Sequence, residues 1–432
     1  MSLPRYAEYK DSGMEWLGEV PAHWRLGRLS ELCGFESGKA HEPFVDDSGD
    51  FICVNSRFVS TGGVSRKYCT RNFSPAKEGD ILMVMSDLPN GRALAKAFLV
   101  EDGSPYAVNQ RVCILSPREN SPRFMFYLLD RNPYFLRYDD GVSQTHLSNA
   151  TFAKFNAFIP PLPEQSAIAA FLVRETGKID ALIAEQEKLL TLLAEKRQAT
   201  ISHAVTRGLN PNAPMKDSGV PWLGEAPAHW NVIPLKHLVS LKSGGTPSKE
   251  NLDYWNGEVP WASARDLKSD TLGDTTEHIT AVALASGVST LLPAGVVLVV
   301  VRGMILARTF PVTETLVPMT INQDLKAVLP KVGLNGSFLA WLLRGTAGES
   351  LQRLDEAGHG TKALRMDAWT SMRLPVPPEP EQKEIVAYIV KRTGELDSLA
   401  GEAEHAIALL KERRSALIAA AVTGKIDVRQ VA

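Results

Sequence analysis

The sequence has few of the features that would place a protein in a membrane or outside the cell. Its apolar runs, such as Val296–Val301, are far shorter than the roughly 18 residues that a membrane span requires. No apolar signal segment follows Met1. The four cysteines form no CxxC pair and have no histidine at zinc-ligand spacing. We therefore expect a cytoplasmic protein with reduced, mostly buried thiols, no metal site and no membrane association.

An excess of charge of either sign is also missing. Lysine and arginine number 47 against 49 acidic residues, and the balance holds locally, with 16 basic and 15 acidic residues in 21–160 and 14 and 13 in 227–377. Any polyanion would therefore have to be bound by small local clusters of positive charge. The chain has 432 residues, of which 44% are hydrophobic, so it is long and apolar enough for several folded units.

The sequence does contain an internal repeat, in which framework blocks recur around unlike inserts. The segments KDSG, WLGE and PAHW, within residues 10–24, recur at a constant offset of 206 residues. Pro163-Glu164-Gln165 and Thr176-Gly177 recur at an offset of 217 residues. Tryptophan and histidine repeat in the framework, so we expect Trp24, Trp230 and their neighbours to be structural anchors rather than stacking platforms.

The second block predicts a long helix in each copy. Pro163-Glu164-Gln165 is a helix-start signal, Arg207-Gly208 is a stop, and Thr176-Gly177 is expected to break or kink the helix. Because an apolar stripe must be buried, the two helices are expected to pack against each other in antiparallel orientation. The expected seam residues are Ile179, Leu182, Leu189, Leu193, Leu396, Leu399, Ala406 and Leu410.

The inserts have β-branched strands between turn clusters and short helical segments, which is typical of mixed α/β domains. The expected fold is α+β, with two mixed α/β domains in a tandem pseudo-two-fold repeat, separated by two long helices packed as an antiparallel coiled coil. The expected boundaries are a framework segment at 1–20, a first domain at 21–160, a central helix at 161–208, a connector at 209–226, a second domain at 227–377 and a C-terminal helix at 378–427.

Several segments of the chain together match the pattern of one known family. They are Pro161–Gln165, Ile179-Asp180, Leu409–Arg414, Ala421–Asp427, Ser243–Ser248, Tyr254–Gly257, Pro260-Trp261 and Asn322-Gln323. On these segments the chain resembles, over essentially its full length, the specificity subunit of type I restriction–modification enzymes. The first insert departs from the family pattern, since it keeps Ser37-Gly38 and Asn109-Gln110 but lacks Thr-Pro-Ser and Tyr-Trp-x-Gly.

The resemblance implies a non-catalytic subunit that reads DNA. Each insert, as a target recognition domain, would read one half of a bipartite asymmetric target in the major groove of double-stranded DNA. The helices would set the spacing and dock two adenine-methyltransferase (modification) subunits and restriction (motor-nuclease) subunits. The chain itself would bind no cofactor, with S-adenosylmethionine, ATP and Mg expected on the partner subunits. The alternative is a two-domain protein-interaction scaffold without sequence-specific DNA binding.

Candidate DNA contacts are polar or basic side chains in the predicted loops, because arginine and lysine bind phosphates and guanine while Asn and Gln read adenine. An isolated surface arginine is more often solvated or ion-paired, so each position alone is a weak candidate. In the first insert the candidates are Lys39, Arg57, Arg66, Lys67, Arg71, Arg92, Gln144 and His146. In the second insert they are Lys242, Thr246, Ser248, Lys249, Arg265, Arg302, Arg308 and Lys362.

Three further features have a structural and a functional interpretation. Asn109-Gln110 and Asn322-Gln323 could read adenine, but as features shared by unlike inserts they are more simply turn residues. The helix charges Glu185, Glu187, Lys196 and Arg197 form either a solvated face or a surface that two identical partners require. Arg131–Phe135 lacks the second proline of an adenine-methyltransferase motif, and the sequence has neither HExxH nor GxSxG, so we expect no catalytic site.

Overall fold

The structure is a computed structural model, and it describes residues 4–14, 17–88, 93–139, 142, 144–356 and 360–430. The chain divides into two compact units. Unit 1 consists of Met1–Gln186 with His405–Ala432, and unit 2 consists of Glu187–Glu404. Each unit contains one mixed α/β domain together with a part of both long helices. No helix of the described ranges is long and apolar enough to cross a membrane.

The apolar runs Phe51–Val54 and Ile81–Val84 both form strands of unit 1. The strands are β1 (Tyr9–Asp11), β2 (Glu19–Pro21), β3 (Arg25–Arg28), β4 (Cys33–Ser37), β5 (Phe51–Val54), β6 (Tyr68–Cys69), β7 (Ile81–Val84), β8 (Ser86–Asp87), β9 (Ala97–Leu99), β10 (Tyr106–Val108), β11 (Val112–Pro117), β12 (Thr145–His146) and β13 (Asn156–Ile159). The helices are α1 (Leu29–Leu32), α2 (Ser56–Ser60), α3 (Pro122–Leu129), α4 (Pro133–Leu136), α5 (Asn149–Ala153) and the long α6 (Leu162–Arg207), which continues into unit 2.

Among the described residues, unit 2 has a similar order of elements, with two more strands than unit 1. Its strands are β14 (Met215–Asp217), β15 (Glu225–Pro227), β16 (Asn231–Pro234), β17 (Val239–Ser243), β18 (Trp255–Ala262), β19 (Thr271–Leu272), β20 (Glu277–Ile279), β21 (Val297–Val300), β22 (Arg302–Gly303), β23 (Val312–Thr315), β24 (Thr320–Ile321), β25 (Leu325–Pro330), β26 (Leu354–Glu356), β27 (Lys362–Leu364) and β28 (Arg373–Val376). Its helices are α7 (Leu235–Leu238), α8 (Ala281–Ala285), α9 (Gly336–Gly345), α10 (Ala347–Leu351), α11 (Met366–Thr370) and the long α12 (Glu379–Val422), which continues into unit 1.

The two inserts share one sheet topology although their sequences differ. The main sheet has the order β4-β11-β7-β9 in unit 1 and β17-β25-β21-β23-β19 in unit 2. Each unit also has a second sheet of three strands. Its central strand, β5 in unit 1 and β18 in unit 2, has one parallel and one antiparallel neighbour. An antiparallel pair, β3 with β13 and β16 with β28, closes each domain next to a long helix. The first insert therefore has the fold of the second, despite its departure from the family pattern.

Both long helices run without a break, so the break expected at Thr176-Gly177 is wrong. A glycine inside a helix costs only about 1 kcal/mol relative to alanine. The surrounding turns are held on both sides, because Leu172 and Ile179 are buried and the Thr176 hydroxyl donates a hydrogen bond of 2.7 Å to the carbonyl of Leu172. The same bond recurs in α12 from Thr393 to the carbonyl of Ile389 at 2.8 Å.

The buried and half-buried residues of the long helices follow the alternating three- and four-residue steps of a coiled-coil seam. Equivalent seam positions of the two helices are 217 residues apart. The seam of α6 consists of Thr176, Ile179, Ile183, Gln186, Leu190, Leu193, Arg197, Thr200 and Ala204. The seam of α12 consists of Thr393, Leu396, Ala400, Ala403, Ile407, Leu410, Arg414, Leu417 and Ala421.

This seam corrects part of the expected one. Ile179, Leu193 and Leu396 are buried and Leu410 is half-buried at seam positions, whereas Ala406 is half-buried beside the seam residue Ile407. In contrast, Leu182, Leu189 and Leu399 are 46%, 40% and 48% exposed. In each case the next residue along the helix occupies the seam. These residues are Ile183 after Leu182, Leu190 after Leu189 and Ala400 after Leu399.

Within each unit the two helix segments are antiparallel and joined by an equivalent ion pair. In unit 1 the Arg414 guanidinium binds both oxygens of Asp180, at 2.8 and 3.2 Å. In unit 2 the Arg197 Nε donates to Asp397 at 3.1 Å, and Arg197 also pairs with Asp270 of the α/β domain at 2.5 Å. Arg197 is thus half-buried in an ion-pair network, whereas Glu185, Glu187 and Lys196 are exposed.

The repeated framework residues meet at the start of each long helix. In unit 1 the Glu164 carboxylate accepts hydrogen bonds from Trp24 Nε1 at 3.0 Å and from the Tyr6 hydroxyl at 2.7 Å, and His23 Nε2 lies 2.8 Å from it. Burial and this hydrogen bond raise the pKa of Tyr6. In unit 2 Trp230 and His229 make the same contacts with Glu381, at 3.0 and 2.8 Å.

The glutamine that follows each glutamate is also structural. Gln165 accepts from the Ser121 amide and donates to the Pro160 carbonyl, both at 2.9 Å. Gln382 repeats both contacts, with the Asn335 amide at 2.8 Å and the Pro377 carbonyl at 2.9 Å. Trp24 and Trp230 are fully buried, which confirms them as anchors at the entry to each domain.

The four cysteines are free and buried, as expected. Burial raises the pKa of Cys33 and that of Cys53 to about 12, so these thiols stay protonated at neutral pH.

Candidate nucleic-acid interface

Each α/β domain ends in a small β-ribbon that continues one of the central strands of its main sheet. In unit 1, β8 directly follows β7 and pairs with β12, so that His146 lies opposite Ser86. In unit 2, β22 directly follows β21 and pairs with β27, so that Arg302 lies opposite Ala363 and next to Lys362. The two ribbons occupy equivalent places in the fold and carry different polar side chains.

A turn and a glycine loop support each ribbon. In unit 1 the Arg111 carbonyl accepts the Met85 amide at 2.8 Å, and in unit 2 the Asp324 carbonyl accepts the Val301 amide at 2.8 Å. These carbonyls belong to the turns that begin at Asn109 and Asn322, whose side chains are buried and accept amides of their own turns. The repeated Asn-Gln pairs therefore hold turns, as the structural interpretation predicted.

A loop crosses each turn so closely that only glycine fits. A Cβ at Gly38 would lie 2.2 Å from the Asn109 carbonyl oxygen, and one at Gly244 would lie 1.9 Å from that of Ile321. These loops bring Lys39 beside the first turn through a bridge to Asn109, and Thr246 beside the second turn through a hydrogen bond to Gln323. We call the loop, the turn and the ribbon together the ribbon edge of each unit.

The ribbon edges collect several of the sequence-predicted contacts. On the edge of unit 1, Lys39, Gln144 and His146 are exposed, and the Gln144 amide donates to the Ser86 hydroxyl at 3.0 Å. On the edge of unit 2, Arg302 is exposed, while Thr246 and Lys362 are half-buried. Lys362 donates to Glu356 at 2.7 Å, so part of its charge is compensated within the domain.

The other candidates of unit 1 lie around the second sheet, between β5 and β6 or, for Arg71, just after β6. Arg66 donates to the Gly63 carbonyl at 3.1 Å, Lys67 is exposed, and Arg71 lies 4.9 Å from the centre of the Phe44 ring. Arg57 is exposed on α2. Arg92 lies outside the described residues.

The other candidates of unit 2 are spread over three loops and a strand. Lys242 on β17 and Ser248 are exposed, and Lys249 pairs with Glu277 at 3.6 Å. Arg308 is exposed just after the turn Met304–Ala307, and Arg265 is exposed just after β18. The structure thus places Arg302 beside Lys362 on the ribbon.

A family model described as the type I restriction modification DNA specificity domain matches residues 21–191 and again residues 227–398. The chain belongs to this family. Each match begins with the framework segment that contains the buried tryptophan, covers one α/β domain and ends within a long helix. The tandem arrangement that the repeat predicted is thereby confirmed.

The relatives of the chain include two named specificity subunits. The Escherichia coli type I restriction enzyme EcoR124I/EcoR124II specificity subunit is 28% identical over 273 residues, which is 62% of this chain and 62% of the relative. The Methanocaldococcus jannaschii MjaIX specificity subunit is 26% identical over 175 residues, 39% of this chain and 38% of the relative. The chain therefore spans less than two thirds of the length of these relatives.

The fold has a counterpart among solved structures. A chain from a solved structure of the type I R-M system superposes with a TM-score of 0.70 at 17% sequence identity, covering 93% of this chain and 98% of that one. This similarity supports the architecture of two α/β domains and two long helices.

Proposed function

We propose that the protein is the DNA sequence-recognition subunit of a type I restriction–modification complex, in which each α/β domain reads one half of a bipartite asymmetric target. One observation carries the proposal. The same fold presents the same ribbon edge twice on a repeated framework, but the ribbons carry unlike groups, Gln144 and His146 in one domain and Arg302 and Lys362 in the other. Two unlike readers on one framework fit an asymmetric two-part sequence.

The chemistry of the ribbon side chains suits base recognition. Arginine and lysine bind the O6 and N7 acceptors of guanine, and glutamine can pair with adenine through its amide. The two-stranded ribbon of unit 1 is also narrow enough to enter the major groove, which is about 12 Å wide, and in unit 2 the pair β22 and β27 carries a third strand, β26, on its far side. Direct readout of this kind requires no catalytic group on the chain, and S-adenosylmethionine, ATP and Mg would belong to the partner subunits.

Each unit also presents an equivalent exposed patch on its helix segments, which supports docking of two identical modification subunits. In unit 1 Leu182 directly precedes the seam residue Ile183, and Arg413 directly precedes the seam residue Arg414. Because the two helices are antiparallel, positions that precede equivalent seam residues lie on the same side of the helix pair. All members of both patches are exposed. The unit 1 patch is Leu182, Glu185, Leu409 and Arg413, and the unit 2 patch is Leu399, Glu402, Leu192 and Lys196.

The proposal is tested by expressing the chain with its companion methyltransferase subunit in a host without adenine methylation and mapping methylated adenines by long-read sequencing. The expected result is one asymmetric motif of two specified blocks separated by a gap of fixed length. Expression of the methyltransferase without this chain is the control and should give no such motif. If the chain is present and no methylated motif appears, and if the complex also binds all duplexes with equal affinity, the alternative of a protein-interaction scaffold is favoured.

Substitution of a ribbon side chain is expected to relax one half of the target only. His146→Ala should reduce discrimination in the half read by unit 1, and Arg302→Ala in the half read by unit 2, each by roughly 5- to 150-fold, since one good base contact contributes about 1–3 kcal/mol. Competition binding with duplexes changed at single positions measures this effect. Lys236→Ala, an exposed charge on α7, is the control and should leave both halves unchanged. Equal loss in both halves from either ribbon variant would contradict the assignment.

A further inference from the structure

A second pair of basic residues is equivalent in the two domains, although the sequence alone gives no alignment between them. Arg57 is the third residue after the end of β5 at Val54, and Arg265 is the third residue after the end of β18 at Ala262. These two strands hold the same central place in the second sheet of each unit. The two arginines therefore occupy one position of the shared fold.

The backbone around this position is fixed in the same way in both units. The carbonyl of Val54 accepts the Asn109 amide at 3.0 Å, and the carbonyl of Ala262 accepts the Asn322 amide at 2.9 Å. Each strand end is thus tied to the turn that supports the ribbon edge. The arginine position consequently has a set place relative to the ribbon within its own unit.

A polar residue two positions before each arginine makes a hydrogen bond that orders the turn carrying it. The Asn55 side chain accepts the Phe58 amide at 2.9 Å, which starts helix α2. Ser263 donates from its amide and its hydroxyl to Asp266, both at 2.9 Å. The residue that orders the turn therefore differs, Asn55 in unit 1 and Ser263 in unit 2, whereas the residue two positions later is an arginine in both units.

The charge of both arginines is available to a ligand. Both side chains are exposed, and residues 51–77 around Arg57 contain no Asp or Glu. Beside Arg265 lies an open cleft of about 320 Å³ that Lys268, Asp266 and Asp274 also line, and the Asp274 carboxylate pairs with His278 at 2.8 Å. The neighbouring Asp266 carboxylate accepts hydrogen bonds from Ser263 and Thr276, so its oxygens are engaged within the turn.

We propose that Arg57 and Arg265 are a matched pair of phosphate anchors, each binding the DNA backbone beside the half-site that the ribbon of its unit reads. This inference rests on the proposed function and assigns to these two arginines a role different from base reading. A group shared by two readers of unlike sequence carries no information about the bases. A phosphodiester is present at every step of a duplex, so one anchor at one position of the fold serves both domains.

The test measures binding of the full chain, in complex with its methyltransferase partner, to a cognate duplex and to duplexes altered in either half, between 50 and 300 mM salt. Arg57→Ala and Arg265→Ala should each weaken binding to all duplexes by the same factor. Each should also lower the slope of log K against log salt by about 0.9, the value for one phosphate contact. Arg57→Lys and Arg265→Lys should keep the wild-type slope.

Matched controls separate the inference from the proposed function. His146→Ala and Arg302→Ala should change the ratio between cognate and altered duplexes while leaving the slope nearly unchanged. A changed base preference in Arg57→Ala, or a slope equal to that of the wild type, would overturn the anchor assignment while the reading function stands. A wild-type complex that binds all duplexes alike would overturn the proposed function itself. Equal thermal midpoints of wild type and variants are expected, since both side chains are exposed.

Discussion

Glu164→Ala is expected to lower the free energy of unfolding of unit 1 by about 3–5 kcal/mol, the range for opening a buried polar network. The Glu164 side chain is only 5% exposed and binds Tyr6, His23 and Trp24. Its removal leaves the buried Trp24 indole and the Tyr6 hydroxyl without an acceptor, and each unsatisfied group costs about 1–3 kcal/mol. The measurement is urea unfolding of the full chain, with hydrogen exchange of residues 17–28 and 157–172 to locate the loss.

The repeat supplies the matched control for this prediction. Glu381 holds the equivalent position in unit 2, but its side chain is 26% exposed and binds only His229 and Trp230 among the described residues. Glu381→Ala is therefore expected to cost about 1–2 kcal/mol, since water replaces part of the lost contact. Glu187→Ala, on the exposed face of α6, should have almost no effect. Equal losses from the two repeated glutamates would contradict the burial argument.

The prediction of this network was only partly within reach of the sequence. The recurrence of Trp24 as Trp230 and of Glu164 as Glu381 was visible, and the tryptophans were predicted as anchors. The glutamate was interpreted only as part of a helix start, because nothing in a linear sequence shows that it meets a tryptophan 140 positions earlier. The shared offset within each block indicated which residues repeat, but it did not indicate which repeated residues touch.

The helix seam shows a second limit of sequence periodicity. Leu182 and Ile183, Leu189 and Leu190, and Leu192 and Leu193 are apolar doublets, so a stripe can be drawn through either member of each doublet. The choice is made by the partner helix, because Asp180 must meet Arg414 and Arg197 must meet Asp397. The leucines left outside the seam are exposed, which is why they become candidates for a docking patch.

The common topology of the inserts was hidden for a different reason. A buried strand requires apolar side chains of suitable volume, not particular ones, so Ile52-Cys53-Val54 and Pro260-Trp261-Ala262 fill equivalent strands without recognisable similarity. The equivalence of Arg57 and Arg265 depends on where β5 and β18 end, and the sequence alone does not show those strand ends. Both were predicted as DNA contacts from residue type alone, and the shared strand end is what separates them from the ribbon residues.

Replacing residues 25–159 by residues 231–376 of the same chain is expected to convert one half of the target completely. Both segments begin and end on one antiparallel pair, in which Arg25 lies opposite Ile159 and Asn231 opposite Val376. The two junctions of the exchange therefore lie together, and the Trp24–Glu164 anchor stays native. The chimera carries the Arg302 ribbon twice, so both blocks of the methylated motif should match the block that unit 2 reads in the wild type.

Methylation mapping with the companion methyltransferase measures the outcome, and the reciprocal exchange is the matched control, with both blocks expected to match that of unit 1. An insert from another family member placed at 25–159 should change the same block and no other. Retention of the original block by the chimera would mean that the specificity of that half lies outside residues 25–159. Loss of both blocks in a chimera that still folds and binds its partner would mean that the two domains do not read independently, and that the repeated framework is not sufficient to present a ribbon to DNA.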